Sequence, residues 1–283
     1  MIKALKDMYF VSLNEDENTK TKSGLFIDTT WQPYHYATQN GIIESTPIAI
    51  SKKYKNDVKL EKGERIFFHH FVHSADNYIL VQGRKLYKAD YFNIYCVIRK
   101  RIPVMLEDWI FASPVMETEE DITKIYGKLT LFTKSAIGRK KLLAKAEFIG
   151  GEARRQGLKA GDTIIYKNDA DYEMTVEGKR YYRMKLANVA AVVRNGNVVP
   201  LRNEVVIETN FKEETLRDSG IILVNLKPQR TQEANIYSKG ISSEYQIGDS
   251  ILYIYGTGVK VEHEGKKYCI LRQEEVLGVM QEA

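Results

Sequence analysis

Two cysteines in 283 residues cannot make a disulfide framework. Cys96 and Cys269 both sit in apolar, strand-like runs (Ile94 to Ile98 and Tyr268 to Leu271), the setting of a buried, reduced thiol. No stretch of about 18 apolar residues is present, so no helix is expected to span a bilayer. The start, Met1-Ile2-Lys3-Ala4-Leu5-Lys6-Asp7, lacks the apolar core and small-residue cleavage site of a secretory leader, and a cytoplasmic protein is expected. Charge of one sign is also scarce. Lys plus Arg number 42 against 37 for Asp plus Glu, a net +5, too little for a field that would gather nucleic acid or a membrane surface. Walker A, G-x-G-x-x-G, H-E-x-x-H, C-x-x-C and G-x-S-x-G signatures are missing, and so is any βαβ stretch to hold a dinucleotide. An enzyme is the class the sequence supports least, and no cofactor is expected.

What is present is an internal repeat. Leu60 to Phe68, Leu158 to Tyr166 and Tyr245 to Tyr253 share one pattern: an apolar residue, two variable ones, Gly, an acid, a polar or charged residue, then three apolar or aromatic residues. Gly followed by an acid is turn chemistry, and the run after it reads as a strand. A second block follows each time, around Gln82-Gly83, Glu177-Gly178 and Glu264-Gly265, two-residue hairpin signals between strand-like runs. Apolar strands then close each copy, Ile94 to Ile98, Val189 to Val193 and Val276 to Met280. The pattern is all-β, with short helical candidates only at 140–146 and 273–277. It divides the chain into three tandem units, 1–101, 102–195 and 196–283, joined by the short segments Lys100-Arg101-Ile102-Pro103 and Asn195-Gly196-Asn197, which hold neighbours side by side.

The third unit resembles a GroES-type co-chaperonin (chaperonin-10 family). The likeness rests on the Gly248-Asp249 turn into a strand, Tyr255-Gly256-Thr257-Gly258-Val259-Lys260, the Gly265 hairpin, the closing Glu275-Val276-Leu277-Gly278-Val279-Met280, and the opening Pro200-Leu201-Arg202-Asn203-Glu204-Val205-Val206-Ile207. A similar opening recurs from Pro103 to Phe111, and more loosely from Met8 to Leu13. The resemblance implies three tandem GroES-like domains, each a small, partly open β-barrel, of which the second is the most diverged and the third the closest to the family. It also implies a homo-oligomeric ring in which the end strand of one domain pairs with the first strand of its neighbour. Three repeats do not divide the family's usual seven-fold ring.

The same resemblance implies a GroEL-type chaperonin as partner, gripped by a loop carrying Gly and three apolar residues. Gly24-Leu25-Phe26-Ile27 and Gly220-Ile221-Ile222-Leu223 fit that loop. In Gly127, Leu129 and Leu131, the weaker candidate, Lys128 and Thr130 interrupt the triplet. Read without the family, the first two are equally core strands that follow a turn. Three apolar side chains entering a groove contribute roughly 5–8 kcal/mol gross, at about 1.5–3 kcal/mol each. Ordering the flanking chain costs about 1–2 kcal/mol per residue, so one loop alone binds weakly and several on one ring bind together. The expected function is a ring-forming cap on a chaperonin that assists protein folding. The alternative is a viral or phage structural or assembly protein that uses the same domains as ring modules without a chaperonin.

Other features read as ordinary surface or packing. The acidic runs Asn14 to Asn18 and Glu117 to Asp121 look like solvated loop, Arg139-Lys140-Lys141 like surface, and Trp31 to Tyr36 like either a contact surface or a packed cover. His69, His70 and His73 cluster, and an extended strand would put His69 and His73 on one face, but no further zinc ligand is apparent. Room for a family-type roof hairpin exists between Pro47 and Lys59, and less of it at 150–157 and 239–244.

Overall fold

The computed structural model describes residues 3–13, 38–74, 76–116, 139–208 and 231–280. Their strands form three antiparallel sheets. The first holds β1 (Met8–Leu13), β2 (Asn40–Ser45), β3 (Arg65–Phe68), β4 (Tyr78–Val81), β5 (Arg84–Asp90), β6 (Ile94–Arg99) and β7 (Ile102–Met105). The second holds β8 (Trp109–Met116), β9 (Arg139–Ile149), β10 (Thr163–Tyr166), β11 (Tyr172–Val176), β12 (Lys179–Lys185), β13 (Val189–Arg194) and β14 (Asn197–Val199). The third holds β15 (Val205–Glu208), β16 (Thr231–Lys239), β17 (Ser250–Ile254), β18 (Val259–His263), β19 (Lys266–Leu271) and β20 (Val276–Val279).

The strand orders are β4-β5-β1-β2-β3-β6-β7, β11-β12-β8-β9-β10-β13-β14 and β18-β19-β15-β16-β17-β20. Numbered within each sheet these are one topology, and the third lacks the seventh strand among the described residues. Register repeats too. Phe10 lies opposite Lys88, Phe111 opposite Arg183, and Val206 opposite Ile270. A register break falls at the same place in the third strand of each sheet, at Phe67/Phe68, Ile165/Tyr166 and Leu252/Tyr253, and such bulges bend a strand and sharpen its twist. The all-β class expected from the sequence is what the chain forms.

By contact density the chain divides into two compact units, Met1–Ala112 with Glu147–Arg155 and Tyr172–Leu186, and Ser113–Ala146 with Gln156–Asp171 and Ala187–Ala283. Strands β11 and β12 belong to the first unit and β10, β13 and β14 to the second.

The Gly-acid turn explains why the repeat is so legible. Gly63, Gly161 and Gly248 have φ of +89°, +93° and +93°, a region where a Cβ is strained. Their N–H groups donate to Ile43 O, Ala146 O and Ile236 O at 2.8, 2.7 and 2.9 Å. The acid that follows reaches back to the N–H three residues earlier: Glu61 N to Glu64 Oε2 at 2.8 Å, Lys159 N to Asp162 Oδ2 at 2.8 Å, Gln246 N to Asp249 Oδ2 at 2.7 Å. In the first two copies an arginine at the end of the sixth strand closes the turn, Arg99 Nε to Glu64 at 2.7 Å and Arg194 Nη2 to Asp162 at 2.5 Å. Burial works against the Glu64 carboxylate, but the bonds from Arg99 and Glu61 N outweigh it and hold its pKa below the usual range.

Three local expectations change. The helical candidate at 140–146 lies inside β9, where residues 143–145 pair with β10. Leu143, Ala144 and Ala146 are buried there while Lys145 is exposed, so tertiary pairing overrides helix propensity. The candidate at 273–277 is a 3-10 turn, Gln273–Glu275, running into β20. The one α-helix among the described residues is α1, Gly151–Arg155. The segments read as connections between units, Lys100-Arg101 and Asn195-Gly196, are two-residue hairpin turns with φ of 51° and 64°, and 51° and 76°. They fold β7 and β14 back onto β6 and β13.

His69, His70 and His73 do not lie on an extended strand. His70–His73 form a 3-10 turn, and His69 caps it by accepting from Phe71 N at its Nδ1, 3.3 Å away. Acceptance at Nδ1 places the neutral ring's proton on Nε2. Burial first, then the nearby His70 and the Arg183 charge, pull the His69 pKa down to about 4.

Two predictions follow from these turns. Gly248→Ala, whose Cβ would meet nothing within 4 Å, should cost about 1–2 kcal/mol of backbone strain. Gly240→Ala, whose Cβ would fall 1.9 Å from Arg202 O, should cost more, and denaturant melts that rank them the other way would contradict this. Because His69 is held neutral, its contribution to stability is full above about pH 6.5 and is lost as the pH falls from there toward 4. His69→Gln should flatten part of that loss in unfolding midpoints taken across the window, with His70 and, at the acid end, Glu64 contributing to the remainder. An unchanged slope would contradict the assignment.

Candidate assembly and docking surfaces

The apolar triplets lie outside the described residues. Gly24, Leu25, Phe26 and Ile27 follow β1 and precede β2; Gly127, Leu129 and Leu131 follow β8 and precede β9; Gly220, Ile221, Ile222 and Leu223 follow β15 and precede β16. All three therefore belong to one topological connection, from the first to the second strand of each sheet. Trp31 to Tyr36 and both acidic runs fall in the same connections, outside the described residues as well. Arg139-Lys140-Lys141 opens β9. The space expected for a roof is irregular chain around Pro47 in the first sheet and α1 in the second.

The described residues show how one sheet meets the next. In the first unit, Phe67 of β3, Tyr95 and Cys96 of β6 and Met105 of β7 pack against Trp109 and Phe111 of β8, Met174 and Val176 of β11 and Tyr181 of β12. In the second unit, Ile165 of β10, Ala190 and Ala191 of β13 and Val198 of β14 pack against Val206 of β15, Val261 of β18, and Tyr268 and Ile270 of β19. These are matching positions. The third and sixth strands of one sheet, extended by its seventh, cover the first, fourth and fifth strands of the next. The cysteines are part of this packing. Both are buried and unpaired with each other, and burial pushes the Cys96 thiol well up and the Cys269 thiol to about 11, so neither is a reactive thiolate.

The matching positions of the terminal sheets have no neighbouring sheet among the described residues. In the first sheet the covered positions correspond to Phe10, Ile79 and Leu86. Phe10 and Leu86 are already buried there in a cluster with Ala4, against which Met8, Ile79 and Val81 pack, while Leu80 beside them is 68% exposed. In the third sheet the covering positions correspond to the outer edge of β20, which pairs with β17 and with no further strand among the described residues. There Leu277 is 52% and Met280 47% exposed, at the places of Tyr95 and Ile98 in the first sheet. A row of unpaired backbone groups carrying exposed apolar side chains is a template for another strand. Sequence reasoning missed this pairing of faces. Aligning the closing strands by their facing alternation would have shown that Leu277 stands where Tyr95 and Ala190 are buried.

One junction position breaks the apolar rule. Arg183 of β12 stands where β19 has Ile270, and it is buried. Its guanidinium carbon lies 4.9 Å from the Tyr95 ring centre and 5.1 Å from that of Tyr172. Two residues on, Lys185 Nζ sits 3.6 Å from the Phe92 ring centre and 4.0 Å from Asp108 Oδ1. Burial lowers the Lys185 pKa and raises that of Asp108, each against the pull of the other. No group of three or more metal-ligating side chains occurs among the described residues, the three histidines included. No helix among them is long and apolar enough to cross a membrane.

Comparison with known proteins fits this geometry. Residues 197–280 match the family model described as Chaperonin 10 Kd subunit. The chain is 35% identical over 94 residues to the co-chaperonin GroES of Clostridium perfringens (strain 13 / Type A), covering 30% of this chain and 99% of that protein. It is 32% identical over 94 residues to the GroES of Clostridium beijerinckii, at the same coverage. It is 32% identical over 91 residues to that of Geobacillus kaustophilus, covering 29% of this chain and 97% of the relative. Through its third sheet, which accounts for nearly the whole length of these relatives, the chain belongs to the chaperonin-10 family.

Proposed function

We propose that this protein is a co-chaperonin: a cytoplasmic, non-enzymatic, ring-forming chain that caps a GroEL-type chaperonin and assists protein folding. In this reading the first two sheets are diverged copies of the third. The observation that carries it is the repeated junction. Matching positions bury the same strands twice within one chain, and the corresponding positions recur at Phe10, Ile79 and Leu86, packed with Ala4, and at the exposed Leu277 and Met280. A head-to-tail interface of this kind generates a ring when its rotation closes. Every chain brings three sheets, so the number of modules in such a ring is a multiple of three.

Docking is assigned to Gly24 to Ile27 and Gly220 to Leu223, with the segment holding Gly127, Leu129 and Leu131 contributing least because Lys128 and Thr130 interrupt it. Display of several weak segments on one rigid body supplies effective concentration. It also allows release when the chaperonin changes shape, since binding favours only one of its states.

Two experiments test the parts separately. Leu277→Asp with Met280→Asp places charges at the edge that would be buried, where each apolar side chain contributes about 1.5–3 kcal/mol. The native mass should drop to that of one chain while the circular dichroism is unchanged, and an oligomer that survives would contradict the head-to-tail edge. Replacing Ile221, Ile222 and Leu223 with Ser, together with Leu25, Phe26 and Ile27, should abolish association with an ATP-loaded chaperonin and leave the oligomer intact. Association that survives the combined change would remove the docking assignment and favour a ring-forming structural or assembly role.

A further inference from the structure

Arg183 has an environment unlike that of any other arginine among the described residues. It is 5% exposed. Its Nε is buried without an acceptor, and no carboxylate is paired with its guanidinium among the described residues. Asp108 is engaged by Lys185 instead. Glu173 lies between Tyr172 and Met174 on β11, and strand alternation turns it to the opposite sheet face. Two tyrosine rings flank the cation, and cation–π contact offsets part of the cost of burying it. An unpaired buried charge still costs several kcal/mol. The junction does not need that charge, because the matching position in the third sheet is Ile270, packed in an apolar cluster.

The groups around Arg183 are donors. Tyr95 is fully buried with a hydroxyl that has no hydrogen-bond partner. Burial raises its pKa, which keeps the phenol protonated. The His69 ring lies 6.3 Å from the Tyr95 ring, and with Nδ1 already accepting from Phe71 N its Nε2 carries a proton to give. Arg183 and His69 are close enough that the guanidinium charge depresses the imidazole. Half-buried His69 and His70 and the 51% exposed Tyr172 put the cluster at the surface. A buried cation, a hydroxyl and an imidazole N–H together present donors and no acceptor.

We infer that Arg183, Tyr95 and His69 form a binding site for a phosphate-type oxyanion. The tetrahedral anion accepts from the guanidinium and the tyrosine hydroxyl, with charge-assisted bonds that are among the stronger hydrogen bonds in proteins. It neutralises the charge that the junction otherwise buries alone, so ligand occupancy tightens the contact between the first sheet and the β8, β11 and β12 strands. This site is separate from the docking segments and does not depend on the capping role.

The test uses the full chain and inorganic phosphate, with sodium chloride at matched ionic strength as the control. Phosphate at about a hundred times its dissociation constant should shift the wild-type unfolding midpoint upward, since a ligand that binds only the folded state stabilises it. Arg183→Met should remove the shift, and without phosphate it should be at least as stable as wild type, because an apolar residue of similar shape replaces an unpaired charge. Tyr95→Phe keeps the ring and removes the hydroxyl, so it should weaken phosphate binding about tenfold in calorimetric titration, the worth of one hydrogen bond to a charged group. Should Arg183→Met fail to fold, the Tyr95→Phe titration alone decides. A wild-type protein that phosphate does not stabilise beyond chloride would overturn the site, including the case in which an acidic segment of a partner occupies it. Equal responses in wild type and Arg183→Met, or phosphate affinity unchanged in Tyr95→Phe, would overturn it as well.

Discussion

The rest of the structure depends on one-sided burial. The second and third sheets present their first, fourth and fifth strands as an apolar face that the last strands of the preceding sheet cover; in the first sheet the matching Phe10 and Leu86 are buried in a cluster with Ala4. Phe111, Met174 and Tyr181 are buried by Phe67, Tyr95 and Cys96; Val206, Val261 and Tyr268 are buried by Ile165, Ala190 and Ala191. A module that must be covered on one side and must cover on the other is polar in the directional sense. Joining three of them on one chain satisfies two contacts internally and leaves Leu277 and Met280 exposed at the last one. In the proposed ring, association between chains repeats a contact already made twice, once the segment around Ala4 gives way.

The turns that open the third strand keep this arrangement regular. A glycine in the left-handed region and an acid folded back on the preceding N–H fix where each third strand starts, and the bulge three to four residues later bends it. Two-residue turns at Lys100-Arg101 and Asn195-Gly196 return the chain along the sixth strand, so the segment that leaves each of the first two sheets is itself a strand of that sheet.

Much of this was readable beforehand, for physical reasons. The Gly-acid and Glu-Gly pairs are demanded by backbone geometry, and geometry of that kind survives divergence of the side chains around it. Strand content and the threefold repeat followed from these pairs, and the family likeness followed from the third copy. Lys140 to Ala146 misled because a Lys- and Leu-rich stretch has local helix preference, and only the pairing with Thr163 to Ile165 makes it a strand. Asn195-Gly196 is a strong hairpin signal that went unread because it fell where a connection was expected. The face at Leu277 and Met280 was legible only in part. Its apolar character was plain, but exposure is a property of what fails to cover it. The buried Arg183 was likewise hidden, since on the sequence it is one basic residue among the 42 lysines and arginines.

The most direct measurement is the native mass of the unmodified chain over a range of concentrations. A ring-forming chain should give a closed assembly with a fixed number of subunits greater than one. A single chain at every concentration, or an open series of ever longer species, would contradict the account.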